Sequence, residues 1–421
     1  MSKKNEIKTY GFGVVAQGFY NYLVANNEEE RLNTVIIKNP TKNRKEINAI
    51  IEITNENTVK DKDVEVIVEL ISSSDEAYGI VVENLEIGKK VISANKKLIA
   101  ENLATIIKTE KDNNATFLYE AAVCGSIPII KVLNDLYANE PIIAIQGIFN
   151  GSSNYILTQL FNKEVSYAEA LLDAQKLGFA EANPVSDVGG FDAKYKLVIV
   201  TAHAFGLVVK PEEILNIGIE NISKSDIDFA KKNGLKIKLI AKAALLNGKL
   251  SLTVLPTFIA AGNDLYQVEN EYNAVQISSE NIGEQFYKGK GAGSLPTGSV
   301  VYADLKAIDN GVQYSYKKLA DKAKKIALSD AEVVVYSSKI DDLNLASDTI
   351  NYLDQKAGYA KVKLSVLKKI QAEKNVKGIS VIEIPAQVLA IFESFKTGFK
   401  SKQHHKNEVS KNAVLQHINL N

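Results

Sequence analysis

A glycine-rich turn between the first predicted strand and the first predicted helix constrains the fold of this chain more than any other feature. The strand covers Ile7 to Tyr10, and glycines follow at positions 11, 13 and 18 as a helical stretch begins. Gly11 permits a tight turn, Gly13 lets the backbone approach a diphosphate, and Ala16 fills the third small position. The free N–H groups at a helix N-terminus favour an anion. The pattern therefore predicts a dinucleotide site, with a plain strand-to-helix turn as the alternative.

Strands alternate with helices through the N-terminal part of the chain. The segments are strands Thr34–Lys38, Val64–Leu70, Lys90–Ser93 and Thr116–Glu120, and helices Ile80–Ile87 and Leu98–Lys111. Such alternation is typical of parallel βαβ units. We therefore predict an α/β fold whose N-terminal domain is a Rossmann-type, doubly wound parallel sheet over residues 1–130, completed by a segment at about 300–325.

The middle region lacks strict alternation, which predicts an α+β domain over residues 131–299. Its predicted helices are Pro128–Tyr137, Ser153–Phe161 capped by Ser152 or Ser153, Ser166–Leu177 capped by Ser166, and Asp192–Phe205. Its predicted strands are Ile142–Phe149, Leu235–Asn247, Lys249–Leu255, Gln276–Ser279 and Glu284–Tyr287. The pair Asn247-Gly248 is typical of a tight hairpin turn between the second and third of these strands.

The C-terminal region predicts a small α/β unit over residues 326–400. A glycine-rich loop at 289–298 and a helix over Ser299–Ile308 precede it. The unit has predicted strands at Ala331–Tyr336, Ala360–Val366 and Gly378–Ile384, and predicted helices at Leu345–Gln355 and Ala386–Phe395. Residues 401–421 are polar and aperiodic, which predicts a disordered tail.

Charge and cysteine content exclude several classes of protein. Lys+Arg and Asp+Glu both number 50, so the basic excess of a nucleic-acid or membrane-surface protein is missing. No apolar run reaches the length of a membrane span. The single cysteine, Cys124, excludes an internal disulfide and indicates a reducing cytoplasm. Cys124 itself is read as a packed residue, because no histidine lies near it in the sequence.

The segment after the second strand indicates which nicotinamide cofactor the chain prefers. Lys38 to Lys45 contains four cations and no carboxylate. A carboxylate there binds the ribose 2′-hydroxyl of NAD, whereas cations favour the 2′-phosphate of NADP. We therefore expect NADP to be preferred over NAD, with a solvated basic loop as the alternative.

Acidic and basic side chains cluster around a Gly/Pro-rich loop between Gly178 and Lys196. Asp192 and Lys196 are spaced i, i+4 at the start of a helix whose next turn is the apolar run 197–200. Most such pairs are surface salt bridges. Burial of this helix favours a functional reading, in which a lysine beside a buried carboxylate donates a proton to an oxygen.

Glu120 ends the last predicted strand of the first domain, just before a turn of small residues. A carboxylate in that position can bind a cation together with neighbouring carbonyls. A helix-capping or solvated glutamate is the more common explanation from the residues alone.

Six ordered segments resemble homoserine dehydrogenase. They are Gly11–Gly18, Ser93–Ala100, Glu120–Ile130, Gly147–Leu157, Gly178–Lys196 and Gly291–Gly298, within a resemblance that covers about residues 5–310. It implies the NAD(P)H-dependent reduction of L-aspartate 4-semialdehyde to L-homoserine, on the route from aspartate to threonine and methionine. It also implies a homodimer formed through the middle domain and a structural sodium ion.

The resemblance assigns a role to individual residues. The catalytic pair is Lys196 and Asp192. Substrate contacts fall on Glu181, Asp187 and Lys96. Cofactor contacts fall on Gly11, Gly13, Val14, Val15, Ser72 and Lys96. Sodium ligands are Glu120 and the backbone carbonyls of Val123, Gly125 and Ile127.

The chain departs from the family pattern in three places. Ser72-Ser73 replaces a common Gly-Gly pair, Asn183 stands where the family usually has Asp, and the C-terminal unit resembles an ACT domain only loosely. Two other functions are compatible with the same scaffold. One is a non-catalytic, nucleotide-binding regulator, and the other is an oxidoreductase for a different small hydroxy or amino compound.

Overall fold

Two β-sheets organise the protein. The computed structural model describes residues 6–38, 52–54, 64–163, 165–320, 326–372 and 378–395. Most of the basic stretch after the second strand, from residue 39 onwards, and the polar tail at 401–421 lie outside these ranges. No helix of the described ranges is long and apolar enough to cross a membrane.

The first sheet is parallel throughout, with strand order β3-β2-β1-β4-β5-β6. Its strands are β1 Ile7–Tyr10, β2 Leu32–Ile36, β3 Glu52–Thr54, β4 Val66–Glu69, β5 Lys90–Ser93 and β6 Thr116–Leu118. Its helices are α1 Val14–Ala25, α2 Ser74–Glu86 and α3 Lys96–Asp112. The predicted Rossmann-type, doubly wound sheet is therefore confirmed. The strand order reverses between β1 and β4, and the crevice at that point binds ligands in folds of this kind.

The second sheet is mixed, with strand order β12-β11-β7-β9-β10-β16-β13-β15-β14 and β8 paired to β10. Its strands are β7 Ile142–Ile148, β8 Leu215–Asn216, β9 Leu235–Leu246, β10 Lys249–Ala260, β11 Tyr272–Ser279, β12 Gly283–Lys290, β13 Glu332–Ser337, β14 Ile350–Tyr352, β15 Gly358–Lys363 and β16 Ile382–Glu383. Asn247 and Gly248 have φ of 52° and 75°, as the predicted hairpin turn requires. The C-terminal strands extend the middle sheet, because β16 pairs with both β10 and β13.

Helices cover the second sheet and link it to the first. They are α4 Ile129–Asp135, α5 Gly151–Asn162, α6 Tyr167–Lys176, α7 Val185–Val188, α8 Phe191–Phe205, α9 Lys224–Lys232, α10 Ser294–Asp309, α11 Lys317–Ala320 and α12 Leu364–Ala372, with a last helix over 386–395. Helix α8 packs against α3 of the first domain and against β7 and β9 of the second sheet. Thirteen of its 15 residues are buried, so the start of α8 is held between the two sheets.

Some predicted elements are wrong. The helix predicted over Leu345–Gln355 is a short 3-10 turn followed by strand β14, which pairs with β15. Ser, Asp and Thr at 347–349 offer the backbone local hydrogen bonds that compete with a helix. Strand β15 also ends at Lys363 rather than continuing to Val366, because α12 begins at the next residue, Leu364.

Several helix starts also differ from the sequence prediction. Helix α5 is capped by Asn150, whose side chain accepts from the N–H of Ser153, and not by Ser152 or Ser153. Helix α10 begins at Ser294 instead of Ser299. Its first turn tolerates Pro296, and Gly298 allows close contact with α1.

Glycines let α10 pack backbone to backbone on the cofactor-facing helix α1. A Cβ on Gly18 would lie 1.9 Å from the Ser294 carbonyl oxygen, and a Cβ on Gly298 would lie 2.3 Å from the carbonyl carbon of Gly18. The backbone atoms at Ser294 and at Gly18 cannot easily move away to make room for such a Cβ. Helix α10, which follows β12 along the chain, therefore packs directly against α1 of the first sheet.

Substituting Gly18 by alanine should lower the free energy of unfolding by about 1–3 kcal/mol, because the added methyl overpacks this contact. Urea denaturation measures the change. Gly79→Ala is the matched control, because Gly79 is also helical and its Cβ would meet nothing within 4 Å. That control should be neutral or stabilising by up to about 1 kcal/mol. Equal stability of the Gly18 variant and the wild type would contradict the close packing.

Candidate active site

Asp192 lies at the centre of a buried charge cluster at the start of α8. One carboxylate oxygen, Oδ2, accepts from Lys196 Nζ at 2.7 Å. The other, Oδ1, lies 2.9 Å from Lys96 Nζ. Lys196 is one helical turn further along α8, whereas Lys96 is the first residue of α3 in the other domain. The structure therefore brings together three of the predicted site residues across the domain boundary.

The charges in this cluster stabilise one another. Burial opposes ionisation of Asp192, but the ammonium groups of Lys196 and Lys96 outweigh it and lower the pKa of that carboxyl below its usual range. The Asp192 carboxylate in turn raises the pKa of Lys96 against the opposing effect of burial, with smaller contributions from Asp187 and Glu181. Asp192 and Lys96 are therefore charged at neutral pH.

The amine of Lys196 is held by two acceptors among the residues that the structure describes. These are Asp192 Oδ2 and the backbone carbonyl of Phe149, at 2.7 Å. The side chain is 9% exposed. An ammonium group has three N–H bonds, so one N–H remains for a further acceptor. A substrate oxygen in the cleft is such an acceptor.

Asn150 joins the two predicted aspartates, and sequence reasoning gave it no role. Its Nδ2 donates to Asp187 Oδ1 at 2.8 Å and to Asp192 Oδ2 at 2.9 Å. Its Oδ1 meanwhile caps α5. Burial and the nearby Asp192 carboxylate raise the pKa of Asp187. The sequence does place an asparagine between a strand and a Gly-Ser-Ser helix start, which indicates a helix cap. A helix cap does not by itself indicate that the same side chain also bonds two carboxylates.

Glu181 occupies a different setting from the aspartates. It is exposed, in the loop between α6 and α7, and its backbone carbonyl accepts from Gln175 Nε2. The structure gives its side chain no bond to the cluster within the described ranges. Its negative charge nonetheless helps to raise the pKa of Lys96. Glu181 therefore lies close enough to the charge cluster to interact with it electrostatically.

The predicted cofactor residues lie at the carboxyl edge of the first sheet. Gly11 follows β1, Ser72 follows β4 and Lys96 follows β5, and these three strands are parallel neighbours. Gly11 has φ of 90°, and a Cβ there would lie 2.7 Å from the Leu70 carbonyl oxygen. Only glycine fits that turn.

The start of α1 is open to a ligand. Gly13 is its N-cap residue, and a Cβ on Gly13 would meet nothing within 4 Å. Val14 is 64% exposed and Val15 is half-buried. Exposed N–H groups at the start of a helix, beside an open glycine turn, suit a diphosphate. The residues present therefore fit a dinucleotide.

A buried carboxylate beneath this edge was not predicted. Glu69 ends β4 and accepts from Ser93 Oγ at 2.5 Å and from the N–H of Ile71 at 2.7 Å. Asn95 Nδ2 donates to the Ile71 carbonyl. These bonds tie the loop that carries Ser72 to the residues just before Lys96. Burial raises the pKa of Glu69 to about 7.

Glu120, one of the predicted sodium ligands, lies beside a second buried carboxyl group, that of Asp304. The two carboxylate oxygens of Glu120 accept from the backbone N–H groups of Ile130 and Lys131, at 2.8 and 2.7 Å. Asp304 accepts from the N–H of Glu120 and pairs with Lys131 Nζ at 2.9 Å. Two buried carboxylates thus face one lysine. Burial and the Asp304 charge raise the pKa of Glu120 to about 8.

The loop between Glu120 and Ile130 carries the backbone carbonyls that are predicted to bind sodium. Its backbone turns through two successive left-handed residues, Cys124 with φ of 54° and Gly125 with φ of 55°. The Ile127 carbonyl already accepts from the N–H of Ile129, and a carbonyl oxygen has a second lone pair. Backbone carbonyls and a carboxyl group in one loop are the kinds of oxygen ligand that suit a hard cation.

Two remaining sequence interpretations concern single side chains. Cys124 is fully buried, and burial raises the pKa of its thiol to about 12, which agrees with a packed rather than a reactive cysteine. Lys38, the first cation of the basic stretch, is exposed and pairs with Glu76 at 2.6 Å. The other cations of that stretch lie outside the described residues.

Two family models match most of the chain. The model described as the NAD binding domain of homoserine dehydrogenase matches residues 11–120, and the model described as homoserine dehydrogenase matches residues 128–305. The homoserine dehydrogenase of Helicobacter pylori is 40% identical over 256 residues, which are 60% of this chain and 60% of that protein. The Bacillus subtilis homoserine dehydrogenase is 38% identical over 59% of this chain and 58% of its own length. The aligned segment thus spans about three fifths of these relatives.

A solved structure is similar over nearly the whole chain. It is that of a homoserine dehydrogenase from Thiobacillus denitrificans, with 27% sequence identity and a TM-score of 0.78. The similarity covers 91% of this chain and 98% of that one. The likeness therefore extends beyond the matched sequence segment, through both sheets.

Proposed function

Because the chain belongs to the homoserine dehydrogenase family, we propose that it catalyses the NAD(P)H-dependent reduction of L-aspartate 4-semialdehyde to L-homoserine. This step lies on the route from aspartate to threonine and methionine. The observation that carries the proposal is the Asp192 carboxylate, which bridges Lys196 and Lys96 beside the carboxyl edge of a dinucleotide-binding sheet.

Lys196 acts as the proton donor in this proposal. A bound reduced nicotinamide supplies the hydride that the aldehyde carbon accepts. The remaining N–H of Lys196 hydrogen-bonds the aldehyde oxygen and transfers its proton as the C=O bond becomes a CH–OH group. Asp192 holds the amine in place through the hydrogen bond to its Oδ2, and solvent returns a proton to the amine after the transfer. Proton transfer of this kind typically contributes about 10²–10⁴-fold to the rate.

Acidic side chains at the mouth of the site bind the substrate ammonium in the same proposal. Glu181 is exposed there, and Asp187 lies beside Asp192 with Asn150 between them. Lys96 is 39% exposed at its side chain, so its amine can contact both substrate and cofactor while it pairs with Asp192.

Loss of NADPH absorbance in the presence of L-aspartate 4-semialdehyde, measured against a panel of other small aldehydes, tests the proposal. Among the aldehydes tested, we expect fast NADPH oxidation only with L-aspartate 4-semialdehyde. Faster turnover with another aldehyde would favour the oxidoreductase of different specificity. Nucleotide binding without turnover of any aldehyde would favour the non-catalytic regulator.

We further propose that NADPH is preferred over NADH, because the stretch Lys38–Lys45 has four cations and no carboxylate. Arg44→Ala should lower the ratio of kcat/KM for NADPH to that for NADH by about tenfold, the loss of one charge-assisted hydrogen bond. Lys108→Ala is the control, since Lys108 is an exposed cation paired with Asp112 on α3. A wild-type preference for NADH would contradict this assignment.

A sodium ion held by Glu120 and the carbonyls of Val123, Gly125 and Ile127 is proposed as a structural element. Replacing choline chloride by sodium chloride at equal ionic strength should raise Tm, because an ion that binds only the folded state adds about 2.7 kcal/mol at 100 times its Kd. Glu120→Gln should abolish the difference. The same Tm in both salts for the wild type would count against the ion.

We also propose a cytoplasmic homodimer that assembles through the middle domain. The resemblance supports the dimer, and the use of a single cysteine supports a reducing compartment.

A further inference from the structure

We propose that Asn273 is a positioning residue for the amine of Lys196, acting through the backbone carbonyl of Phe149. The inference rests on the proposed role of Lys196 as proton donor. Asn273 lies near the start of β11, more than 70 residues beyond Lys196 in the sequence. It belongs to none of the segments that predicted the site.

Asn273 and Lys196 share one acceptor. Asn273 Nδ2 donates to the Phe149 carbonyl oxygen at 3.0 Å, and Lys196 Nζ donates to the same oxygen at 2.7 Å. Two donors on one carbonyl fix its direction, because each occupies a lone pair of the oxygen. The peptide group that carries this carbonyl also leads into Asn150, which holds Asp192. Asn273 therefore restrains both groups that hold the amine.

The surroundings of Asn273 hold its amide rigidly. The residue is fully buried. On one side lies Gly291, where a Cβ would be 2.2 Å from Asn273 Oδ1. A longer side chain at position 273 has no room to move there. The amide thus sits between the glycine-rich entry to α10 and the carbonyl that binds Lys196.

Asn273 also carries an uncompensated polar atom. Its Oδ1 accepts no hydrogen bond within the part of the chain that the structure describes. A buried amide with an unsatisfied oxygen is costly for stability. An apolar residue of similar size would avoid that cost but would lose the hydrogen bonds of the amide to the Phe149 carbonyl and to the Cys124 thiol.

The three N–H bonds of Lys196 explain why this matters for the reaction. Two of them point at Asp192 and at Phe149, and the third is the one available to the substrate oxygen. If the Phe149 carbonyl rotates, the amine of Lys196 rotates with it, and its third N–H no longer points at the substrate oxygen. Misplacement by about 1 Å can cost about 100-fold in rate, with little effect on binding.

Two variants separate the donor function from simple packing. Asn273→Ala removes the side chain, and Asn273→Asp keeps its shape but cannot donate while ionised. Burial raises the pKa of such a carboxyl, so lowering the pH protonates it and restores an O–H donor toward Phe149. Asn84→Asp is the matched control, because Asn84 is also buried, donates to a single carbonyl at 2.7 Å and leaves its Oδ1 unsatisfied within the described residues.

The experiment compares kcat and KM of these variants with the wild type between about pH 6 and pH 9. We expect kcat of Asn273→Ala to fall about 10–100-fold at every pH, with both KM values within about threefold of the wild type. For Asn273→Asp the ratio of kcat to the wild-type kcat should rise as the pH falls. Asn84→Asp should keep wild-type kcat. If Asn273→Ala does not fold, the isosteric variant carries the test.

Other outcomes would overturn the inference. Wild-type kcat in both Asn273 variants, or a ratio for Asn273→Asp that does not change with pH, would each do so. A wild-type protein that reduces no aldehyde would instead contradict the proposed function.

In that case a crystal structure of Asn273→Asp at high pH tests the positioning role independently of activity. It should show Lys196 Nζ more than about 3.5 Å from the Phe149 oxygen, and an unchanged distance would refute the positioning role.

Discussion

Replacing Lys196 by alanine should abolish nearly all turnover while NADPH still binds. The substitution removes the proton donor, whose contribution is about 10²–10⁴-fold. The nucleotide contacts of the glycine turn and of α1 are untouched, because Lys196 bonds only to Asp192 and to the Phe149 carbonyl among the described residues. Steady-state kinetics and a titration of NADPH fluorescence measure the two effects separately.

Lys194→Ala is the matched control for this prediction. Lys194 is a buried lysine on the same helix, but its amine lies over the Phe191 ring at 4.7 Å and forms no ion pair with Asp192. The control removes an equal side chain and should retain turnover. More than about a tenth of wild-type turnover in Lys196→Ala would contradict the assigned role, because general acid catalysis contributes at least 100-fold.

Asp192→Asn should remove both activity and a pH-dependent part of the stability. The variant keeps the shape of the side chain but leaves the ammonium groups of Lys196 and Lys96 without their shared anion. The amine of Lys196 then loses the carboxylate that orients its N–H bonds, and misplacement of a reacting group by about 1 Å can cost about 100-fold in rate. We therefore expect kcat to fall by about 100-fold or more.

The contribution of Asp192 to the stability of the wild type depends on pH, and the Asp192→Asn variant lacks that contribution. The pKa of Asp192 is lower in the folded state than its unfolded value of about 3.9. Its contribution to the free energy of unfolding is therefore present above that value and is lost as the pH falls through the folded pKa. Breaking a buried pair costs about 3–5 kcal/mol, so the difference between wild type and variant should be largest near neutral pH.

Urea denaturation from about pH 7 to about pH 3 measures that difference. Asp228→Asn is the matched control, because Asp228 pairs with Lys224 at the same i, i+4 spacing on α9, but both side chains are exposed. Its loss should cost less than about 0.5 kcal/mol at any pH. A difference between wild type and Asp192→Asn that stays constant with pH would argue that the Asp192 charge is not stabilised by the lysines.

Local sequence patterns predicted the parts of the fold that depend on neighbouring residues. The glycine turn after β1 follows from the left-handed backbone at Gly11. The predicted cap of α6 by Ser166 is confirmed, and the structure adds Glu169, whose side chain accepts from the N–H of Ser166 to complete a capping box. The Asp192–Lys196 pair follows from one turn of α8 and the apolar run behind it.

The parts that sequence reasoning missed depend on contacts between distant segments. Asn273 reaches Phe149 across 124 positions, and Asp304 reaches Glu120 across 184. No local pattern marks such a residue, because each looks like an ordinary polar residue of a strand or a helix. The helix predicted over 345–355 failed for a related reason. Pairing with β15 decides the conformation of that segment, and its own propensity does not.

A crystal structure with bound NADP⁺ and L-homoserine would show whether the amine of Lys196 reaches the reacting oxygen. The measured quantity is the distance from Lys196 Nζ to the side-chain hydroxyl oxygen of homoserine. We predict a hydrogen bond of about 2.6–3.2 Å, with Asp192 still bound to the other side of the amine. A hydroxyl that lies beyond about 5 Å from this amine and contacts another acidic or basic side chain would contradict the account, because no proton could pass directly between them.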